Sequence, residues 1–367
     1  MQIDRRPSIF NFVLVAVLLA VLGGGERASA QTCQSSDISG NGIVDGEDMA
    51  LLLGSWGTNN AAADVNGDGV VEGADLAIFL GFWGPCVVVP SWATLVAAYP
   101  DPSVVTDANL RAAITATGLA WRVKDTATQI EMVLIPPGTF NMGCSASQQF
   151  GCDSDENPVH QVTLTNAFYL GRYEVTQAQW QARMGSNPSF FPGPSPEVPL
   201  AQVPQRPVEQ VSWNTIQGFL SQTGMRLPTE AEWEYAYRAG TTTAFHGHTG
   251  QLSGTNDDNL LGNIAWYYAG SCSSGAYCQT RPVGGKLGNG FGLHDMAGNV
   301  WEWVNDWYGS YSASAQTNPQ GPSSGSSRVL RGCGWYDLSR GCRASDRNGF
   351  GPGYSRNDIG FRVARTP

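Results

Sequence analysis

Apolar residues in this chain form short blocks separated by glycine-rich and proline-rich stretches. The longest block is a 14-residue apolar run over residues 9–22, which follows Arg5 and Arg6 and precedes an Ala-Ser-Ala stretch at residues 28–30. This order is typical of a secretory signal peptide, and the run is shorter than the roughly 20 residues that a membrane-spanning helix needs. We predict a cleaved signal peptide over residues 1–30, a secreted, cell-surface or periplasmic protein, and no membrane span in the mature chain.

Two further apolar blocks, Met49–Leu53 and Leu76–Leu80, repeat with a period of 27 residues, and each predicts a short helix. Each follows a 12-residue stretch that begins with Asp and has Gly at its sixth position. Oxygen ligands at positions 1, 3, 5, 7, 9 and 12, with Gly at position 6 for the sharp turn, are the pattern of a Ca²⁺-binding loop. A single acidic loop is more often an Asx turn, but the duplication favours two calcium sites. The predicted ligands are Asp37, Ser39, Asn41, the Ile43 carbonyl, Asp45 and Asp48, and then Asp64, Asn66, Asp68, the Val70 carbonyl, Glu72 and Asp75.

The duplicated loop-then-helix segment, residues 37–84, resembles a type I dockerin. The resemblance implies docking onto a cohesin-like protein in an extracellular assembly, although the pairs Gly46-Glu47 and Gly73-Ala74 differ from the hydroxyl pairs of cellulosomal dockerins. We assign residues 31–86 to this small α module. Residues 87–119 are rich in proline and small apolar residues and are predicted to be a linker with a short helix capped by Thr106 or Asp107.

Composition narrows the function of the remaining segment, residues 120–367. Only 14% of the 367 residues are charged, 45 are Gly and 21 are Pro, which predicts a loop-rich fold. The net charge of −10 argues against a nucleic-acid partner. Strands are predicted over Glu131–Ile135 and Gln161–Leu164, and helices over Trp213–Gln222 and Glu230–Ala239.

Eight cysteines follow the proposed cleavage site, and export permits disulfides. Eight cysteines allow 105 pairings, and the sequence alone does not choose among them. Proximity along the chain suggests the pairs Cys33–Cys86, Cys144–Cys152, Cys272–Cys278 and Cys333–Cys342.

Four motifs occur in order along residues 120–367: MVLIPPGTFNMG at 132–143, RLPTEAEWE at 226–234, NGFGLHDMAGNVWEW at 289–303 and GFRVAR at 360–365. Together they resemble the formylglycine-generating enzyme (sulfatase-modifying factor) family across essentially the whole segment. The resemblance implies an α+β variant of the C-type-lectin fold with little regular secondary structure. It also implies an oxidase that converts a sulfatase cysteine to formylglycine.

Active members of that family resemble one another in two cysteines that bind Cu(I) after a Gly-Gly-Ser-Trp/Tyr stretch. Here the stretch continues to Asp337, which stands at the first cysteine position, and the usual serine is Gly334. Cys342 matches the second cysteine when counted forward from Gly332, but a later, non-catalytic cysteine when counted back from the GFRVAR motif. Cys333 and Cys342 are therefore either a relocated catalytic copper pair or a structural disulfide, and export favours the disulfide.

The same resemblance implies calcium ligands in the large domain. One set is the side chains of Asp295 and Glu302 with the carbonyls of Gly298 and Val300, all of them oxygen donors. A second set would use the Asn263 side chain and the Ile264 carbonyl. Glu302 has an alternative role as the buried partner of Arg331 or Arg362.

Three functions remain open. The favoured hypothesis is a divergent or non-catalytic binding module, tethered by the dockerin-like module, whose ligand is a sulfatase or another protein or peptide. Its predicted ligand-binding residues are Tyr336, Asp337, Arg343, Arg347, Asn348 and Tyr354. The alternatives are an active copper-dependent oxidase and a component of an extracellular carbohydrate-active assembly.

Overall fold

A computed structural model describes residues 33–145, 148, 150–248, 253–268 and 278–367. The predicted signal peptide lies outside these residues. The chain divides into two compact units, the first ending at Val88 and the second beginning at Val89. Within the described residues, no helix is both long enough and apolar enough to span a bilayer.

The first unit consists of short elements around a small apolar core. Its helices are α1 (Cys33–Ser36), α2 (Gly46–Gly54) and α3 (Gly73–Gly81), and its strands β1 (Ile43–Val44) and β2 (Gly84–Pro85) pair antiparallel. The two predicted helical blocks lie in α2 and α3, and the Cys33–Cys86 disulfide joins the ends of the unit as predicted. The buried core is Val44, Leu52, Ala63, Val65, Val71, Leu76 and Phe79.

The second unit combines short helices with several small sheets. Its α-helices are α4 (Ala108–Thr115), α5 (Gln177–Met184), α6 (Trp213–Thr223) and α7 (Glu230–Arg238). Short 3₁₀ helices of three to six residues occupy Ser154–Glu156, Leu200–Gln205, Asp258–Asn263 and Ser339–Cys342. The strands are β3 (Ala93–Ala97), β4 (Arg122–Asp125), β5 (Glu131–Ile135), β6 (Gly138–Met142), β7 (His160–Leu164), β8 (Phe168–Gly171), β9 (Ala265–Trp266), β10 (Ala297–Gly298), β11 (Trp301–Trp307), β12 (Gln316–Thr317), β13 (Arg328–Arg331), β14 (Arg347–Phe350), β15 (Ile359–Gly360) and β16 (Ala364–Arg365).

Three sheets of the second unit bring distant parts of the chain together. A five-stranded sheet has the order β16-β8-β5-β4-β3, so its first and last strands come from the two ends of the unit. A four-stranded sheet has the order β14-β13-β11-β15, and a three-stranded sheet the order β12-β7-β6. The mixture of helices and sheets agrees with the predicted α+β class.

The helix boundaries follow from the cap residues that the sequence provides. Ser212 caps α6, which ends at the left-handed Gly224, as predicted. Thr229 and Glu232 form the predicted capping box of α7: the Thr229 hydroxyl accepts from the Glu232 N–H, and the Glu232 carboxylate accepts from the Thr229 N–H. The left-handed turn after α7 already begins at Ala239, with φ of 44°, one residue before the glycine that was expected there.

The segment predicted to be a linker is instead largely part of the second unit. β3 pairs antiparallel with β4 as an edge strand of the five-stranded sheet, and Asp107 caps α4. The Trp92 ring lies 5.5 Å from the Tyr169 ring in an edge-to-face contact. The proline content concealed a run of β-branched and apolar residues that joins the sheet, so the second unit begins at Val89, where the large domain was predicted to begin at residue 120.

Buried arginines are an unusual part of the core of the second unit. Four of its largest fully buried side chains are Arg206, Arg331, Arg343 and Arg362. A buried guanidinium requires hydrogen-bond acceptors, most often a carboxylate, because unpaired burial of a charge is costly. Arg362 pairs with Glu302, Arg331 with Glu234 and Arg343 with Glu156. Arg206 instead donates to the side-chain oxygen of Gln279 at 2.8 Å.

Candidate functional site

The loop after β13 carries the two cysteines in question. Gly332 and Cys333 both have positive φ, 96° and 64°, and turn the chain so that Cys333 reaches back to Cys342. Cys333 and Cys342 are fully buried and form a disulfide. The Tyr237 hydroxyl donates a hydrogen bond of 2.7 Å to the Cys342 carbonyl. The predicted disulfide is confirmed, as is the Cys144–Cys152 pair, whereas the Cys272–Cys278 pair lies partly outside the described residues.

Asp337 is held inside this loop by two donors. One oxygen, Oδ2, accepts from the Gly334 N–H at 2.8 Å and from Trp301 Nε1–H at 2.6 Å. Burial raises the pKa of this carboxyl above its ordinary value. The Gly334 backbone approaches Asp358 so closely that a Cβ at residue 334 would lie 3.0 Å from the Asp358 Cβ. A serine would therefore crowd Asp358, which is a physical reason for glycine at this position.

Five aromatic rings continue from this loop to the surface, and the central one, Trp335, is buried. Neighbouring rings meet edge to face, with interplanar angles of 66° to 89° and centroid distances of 5.0 to 5.6 Å. Phe190 and Tyr336 are each 60% exposed, and Tyr268 is 43% exposed. We call this set the aromatic row, and its members in order are Phe190, Phe191, Trp335, Tyr336 and Tyr268.

A buried carboxylate positions one end of the aromatic row. The two oxygens of Glu209 accept from the backbone N–H groups of Phe190 and Phe191, each at 2.9 Å. Burial raises the pKa of Glu209 to about 7, although the two N–H donors and Arg206 act in the opposite direction. No sequence pattern pointed to Phe190, Phe191 or Tyr268, because only the fold brings them to Trp335.

The family model described as a sulfatase-modifying factor enzyme 1-like domain matches residues 105–367. The chain belongs to this family. It is 31% identical over 303 residues to the formylglycine-generating enzyme of Streptomyces coelicolor, a match that covers 69% of this chain and 94% of that enzyme. It is also 34% identical over 255 residues to the serine/threonine-protein kinase pkn1 of Chlamydia caviae, covering 64% of this chain but 38% of the kinase.

Two solved structures agree with the family assignment. Variable protein 1 of Treponema denticola superposes with a TM-score of 0.55 at 32% identity, covering 65% of this chain and 95% of that protein. PvdO from Pseudomonas aeruginosa superposes with a TM-score of 0.52 at 29% identity, covering 67% of this chain and 98% of that protein. The second unit therefore has the fold of the sulfatase-modifying factor family.

The Cu(I) that this family resemblance implies does not fit the residues present. Cu(I) prefers soft thiolate sulfur, and only a free thiolate can act as the ligand. The sulfurs of Cys333 and Cys342 are bonded to each other. Asp337 offers a hard oxygen, and that oxygen already accepts two hydrogen bonds.

Neighbouring side chains already bond to a predicted ligand of the first calcium site that the resemblance implies for the large domain. Both oxygens of Glu302 accept from Arg362, at 2.6 to 2.9 Å, and Oε2 also accepts from Trp233 Nε1–H at 2.7 Å. Glu302 therefore has its alternative role as the partner of Arg362, and it offers no open ligand atom. Asp295 Oδ2 accepts from the Gly284 N–H at 2.6 Å, while the buried Oδ1 has no partner among the described residues.

The other predicted members of these two sets make backbone hydrogen bonds, but through atoms other than the predicted calcium ligands. The Gly298 N–H donates to the Gly332 carbonyl, and the Val300 N–H donates to the buried Glu174 carboxylate at 3.1 Å. Asn263 ends a 3₁₀ helix, its carbonyl accepts from the Leu287 N–H, and Ile264 is buried beside it. Residues 269–277, which follow this pair, lie outside the described residues.

Two arginines predicted to bind ligand are instead buried in ion pairs. Arg347 donates to both oxygens of Glu230, at 2.8 and 2.7 Å. Arg343 donates to Glu156 at 2.9 Å and also pairs with Asp153 and Asp346. These three carboxylates therefore surround the guanidinium group of Arg343. The structure therefore leaves neither arginine exposed, because Glu156 and Glu230, each more than a hundred residues earlier in the chain, pair with them.

The remaining residues of the predicted binding face are more accessible. Tyr336 belongs to the aromatic row, and Asn348 is exposed on β14. Tyr354 stacks on Phe350 with a centroid distance of 4.4 Å and an interplanar angle of 16°. The structure thus leaves Tyr336, Asn348 and Tyr354 available for contact.

The two acidic loops of the first unit have equivalent hydrogen bonds. At position 1, Asp37 accepts from the Gly42 N–H and Asp64 from the Gly69 N–H, each at 2.7 Å. At position 12, the carboxylates accept from the N–H groups of positions 3 and 9. The position 12 residues, Asp48 and Asp75, are both fully buried. Five loop positions, 1, 3, 6, 9 and 12, are therefore arranged alike in both copies, while calcium binding itself stays a prediction.

Within the loops, shorter bonds connect the other predicted ligand residues. The Asn41 side chain accepts from the Ile43 N–H, Asp45 from the Glu47 N–H, and Asp68 from the Val70 N–H. The Ser39 hydroxyl lies 3.5 Å from Asp37, and the Asn66 side-chain oxygen accepts from the Asp68 N–H. Each of these side chains keeps oxygen lone pairs that could bind a hard cation.

Proposed function

We propose that the sulfatase-modifying factor domain of this chain binds a protein or peptide ligand without oxidising a cysteine. The observation that carries this proposal is the loop after β13, in which Cys333 is bonded to Cys342 and Asp337 replaces a thiolate. A loop of this kind has no free sulfur to hold Cu(I) or to take part in redox chemistry with a bound cysteine.

The aromatic row supports ligand binding at the same loop. Exposed aromatic side chains with few rotatable bonds offer a large contact area at a small cost in conformational entropy. The rings of Phe191, Trp335 and Tyr336 meet edge to face, at interplanar angles of 80° and 66°. The exposed rings of the row suit apolar side chains of a peptide, and a sulfatase peptide is the first ligand to test.

The first unit would attach this domain to an extracellular assembly through calcium-dependent docking. Its two equivalent loops support calcium binding, and several apolar side chains on its helices or just after them are exposed. Those side chains are Leu51, Leu53, Trp56 and Trp83, each between 44% and 52% exposed. A cohesin-like protein is the partner class that we propose for this surface, in a chain exported by its N-terminal segment.

The test separates binding from oxidation. The mature chain is incubated with Cu(I), O₂ and a cysteine-containing sulfatase peptide; mass spectrometry measures formylglycine, and fluorescence anisotropy measures peptide binding. We expect binding without product. We also expect Tyr336→Ala to weaken binding about tenfold, as for a contact residue at the centre of an interface.

Leu95→Ala is the control, because Leu95 is exposed on the edge strand β3 and is not part of the aromatic row. It should leave binding unchanged. Formylglycine production by the wild type that disappears in Cys333→Ser would overturn the proposal in favour of the oxidase. An absence of peptide binding would reject the sulfatase peptide as the ligand.

A further inference from the structure

A cavity opens beside the N-terminus of α7, away from the loop after β13. Its volume is about 310 Å³, at the lower end of the range of small-molecule sites. Elements from four parts of the chain line it: β7, α7, the end of β11 with the loop that follows, and the start of β14. None of its lining residues belongs to the aromatic row or to residues 332–342.

Two side chains that line this cavity are buried but keep an unpartnered polar atom. Asp306 is 3% exposed; its Oδ2 accepts from the Glu230 N–H at 2.9 Å, and its Oδ1 makes no hydrogen bond within the described part of the chain. His160 is 6% exposed; its Nδ1 lies 3.1 Å from the Pro158 carbonyl, and its Nε2 has no partner among the same residues.

The direction of Asp306 Oδ1 follows from a neighbouring glycine. A Cβ on Gly321 would lie only 3.1 Å from this oxygen, and Gly321 is an exposed residue that lines the cavity. The oxygen therefore lies on the cavity side of Asp306. The glycine leaves space in front of it that any larger residue would occupy.

The cavity carries little net charge. The Glu230 carboxylate is neutralised by two hydrogen bonds from Arg347, and it also accepts from the Tyr311 hydroxyl at 3.0 Å. Burial, reinforced by the Glu230 carboxylate, raises the pKa of Asp306 to about 8. Asp306 is therefore mostly a neutral acid near pH 7, and its proton belongs on Oδ1, because Oδ2 is the acceptor of an N–H.

The two unpartnered atoms then differ in their hydrogen-bonding role. Asp306 Oδ1–H is a donor, whereas His160 Nε2 is an acceptor in the tautomer that carries its proton on Nδ1, and the Pro158 carbonyl next to Nδ1 favours that tautomer. A hydroxyl group both donates and accepts, and it matches such a pair. An ionic ligand gains nothing from a neutral cavity, and an apolar ligand would leave both polar atoms unsatisfied.

We propose that this cavity is a binding site for a neutral polyhydroxylated ligand of monosaccharide size. The ring of Tyr311, whose centroid lies 5.1 Å from that of His160, supplies an apolar surface next to the polar pair. Exposed polar side chains at the rim, Ser310, Ser312 and Gln320, add further hydrogen-bonding groups.

Saturation-transfer NMR on the full mature chain tests the site, with D-glucose, D-galactose and D-mannose as separate probes at millimolar concentration. We expect saturation transfer to the ring protons of at least one sugar. Ser310→Trp fills the rim from an exposed position and should abolish the transfer while leaving the thermal unfolding curve unchanged. Transfer to none of the three sugars, or transfer unaffected by Ser310→Trp, would overturn the assignment.

Two variants test the unpartnered atoms of Asp306 and His160. His160→Phe keeps the ring but removes the acceptor, and should weaken binding about tenfold, the factor expected for one lost hydrogen bond. Asp306→Asn keeps a donor and cannot ionise. Wild-type binding should weaken about tenfold between about pH 6.5 and about pH 9, while binding by Asp306→Asn stays constant.

The charged groups around Asp306 are accounted for in this comparison. Glu230 and Glu232 of α7 raise the pKa of Asp306, Arg347 of β14 lowers it, and Arg328 of β13 interacts with the same carboxyl. Asp346→Asn is the matched control, because burial also raises the pKa of Asp346 to about 8 and Asp346 does not line the cavity. A pH response that persists in Asp306→Asn, or that disappears in Asp346→Asn, would contradict the role given to Asp306.

Discussion

The two units of this chain are held together over very different distances along the sequence. In the first unit, carboxylates bond to backbone groups two to nine residues away, as in Asp45 to Glu47 and Asp48 to Ser39. In the second unit, the buried Arg331, Arg343 and Arg362 pair with buried glutamates 97, 187 and 60 residues away. Local bonds form with each loop, whereas distant pairs form only when the sheets have assembled, so the second unit should unfold cooperatively.

The largest effect should come from breaking a distant pair. Arg362→Ala leaves the buried Glu302 carboxylate without its cation, and we expect the second unit to lose about 3 to 5 kcal/mol of unfolding free energy. Urea unfolding followed by tryptophan fluorescence measures the loss. Arg340→Ala is the control: Arg340 also pairs with an acid, Asp153, but its side chain is 59% exposed, so the cost should be below about 1 kcal/mol. Equal costs would show that burial does not set the strength of these pairs.

A disulfide stabilises the first unit, whereas buried ion pairs stabilise the second. The Cys33–Cys86 bond spans 53 residues, and replacing both cysteines by serine should lower the unfolding free energy of the first unit by roughly 2 to 4 kcal/mol. Calorimetry of the full chain follows the transition of each unit. The matching Cys144→Ser, Cys152→Ser pair should leave the first unit's transition in place, because that disulfide lies in the second unit. An unchanged first transition after loss of Cys33–Cys86 contradicts this prediction.

Calcium provides a third comparison of the two units. If both loops bind the ion, a concentration one hundred times the dissociation constant should stabilise the first unit by about 2.7 kcal/mol per site, and chelation should remove that gain. Differential scanning calorimetry with calcium and with a chelator measures both transitions. Asp64→Ala should remove one site, whereas Asp101→Ala, at an exposed carboxylate of the second unit, should remove none. Equal loss of stability in both units on chelation runs against the prediction.

The smallest expected effect is the pH dependence caused by Glu209. Because burial raises the pKa of Glu209 to about 7 in the folded state, its favourable contribution is complete below about pH 4.5 and is lost as the pH rises through about 7. Between about pH 5 and about pH 8, we expect Glu209 to lower the unfolding free energy by roughly 2 kcal/mol, and Glu209→Gln should abolish this decrease. Glu197→Gln serves as control, because Glu197 is partly exposed. A Glu209→Gln profile parallel to that of the wild type would be the contrary result.

The same difference in distance decides what the sequence could reveal. Capping residues such as Thr229 and Ser212 act within one helical turn, so α6 and α7 were predicted nearly to the residue. The duplicated loops and the Cys333–Cys342 pair are also short-range patterns. The order of the family motifs indicated the fold of the second unit, which no local pattern of strands could have done.

The errors concern residues whose partners are remote. Arg343 and Arg347 look like exposed loop residues until Glu156 and Glu230 are brought to them by the sheets. The aromatic row needs Phe190 next to a loop that lies well over a hundred residues later in the chain. From the sequence, Glu302 was predicted to be either a calcium ligand or the partner of a buried arginine, and only the packing of Arg362 distinguishes the two roles.

The Cys33–Cys86 bond also has a mechanical consequence. Tension transmitted along the backbone enters the first unit near Cys33 and leaves near Cys86, so the load passes through one covalent bond and bypasses the 52 residues between them. Both acidic loops and both of their helices lie in the bypassed segment. A pulling force on the ends of the chain therefore cannot extend this unit while the bond is intact, and its folded state is protected under load.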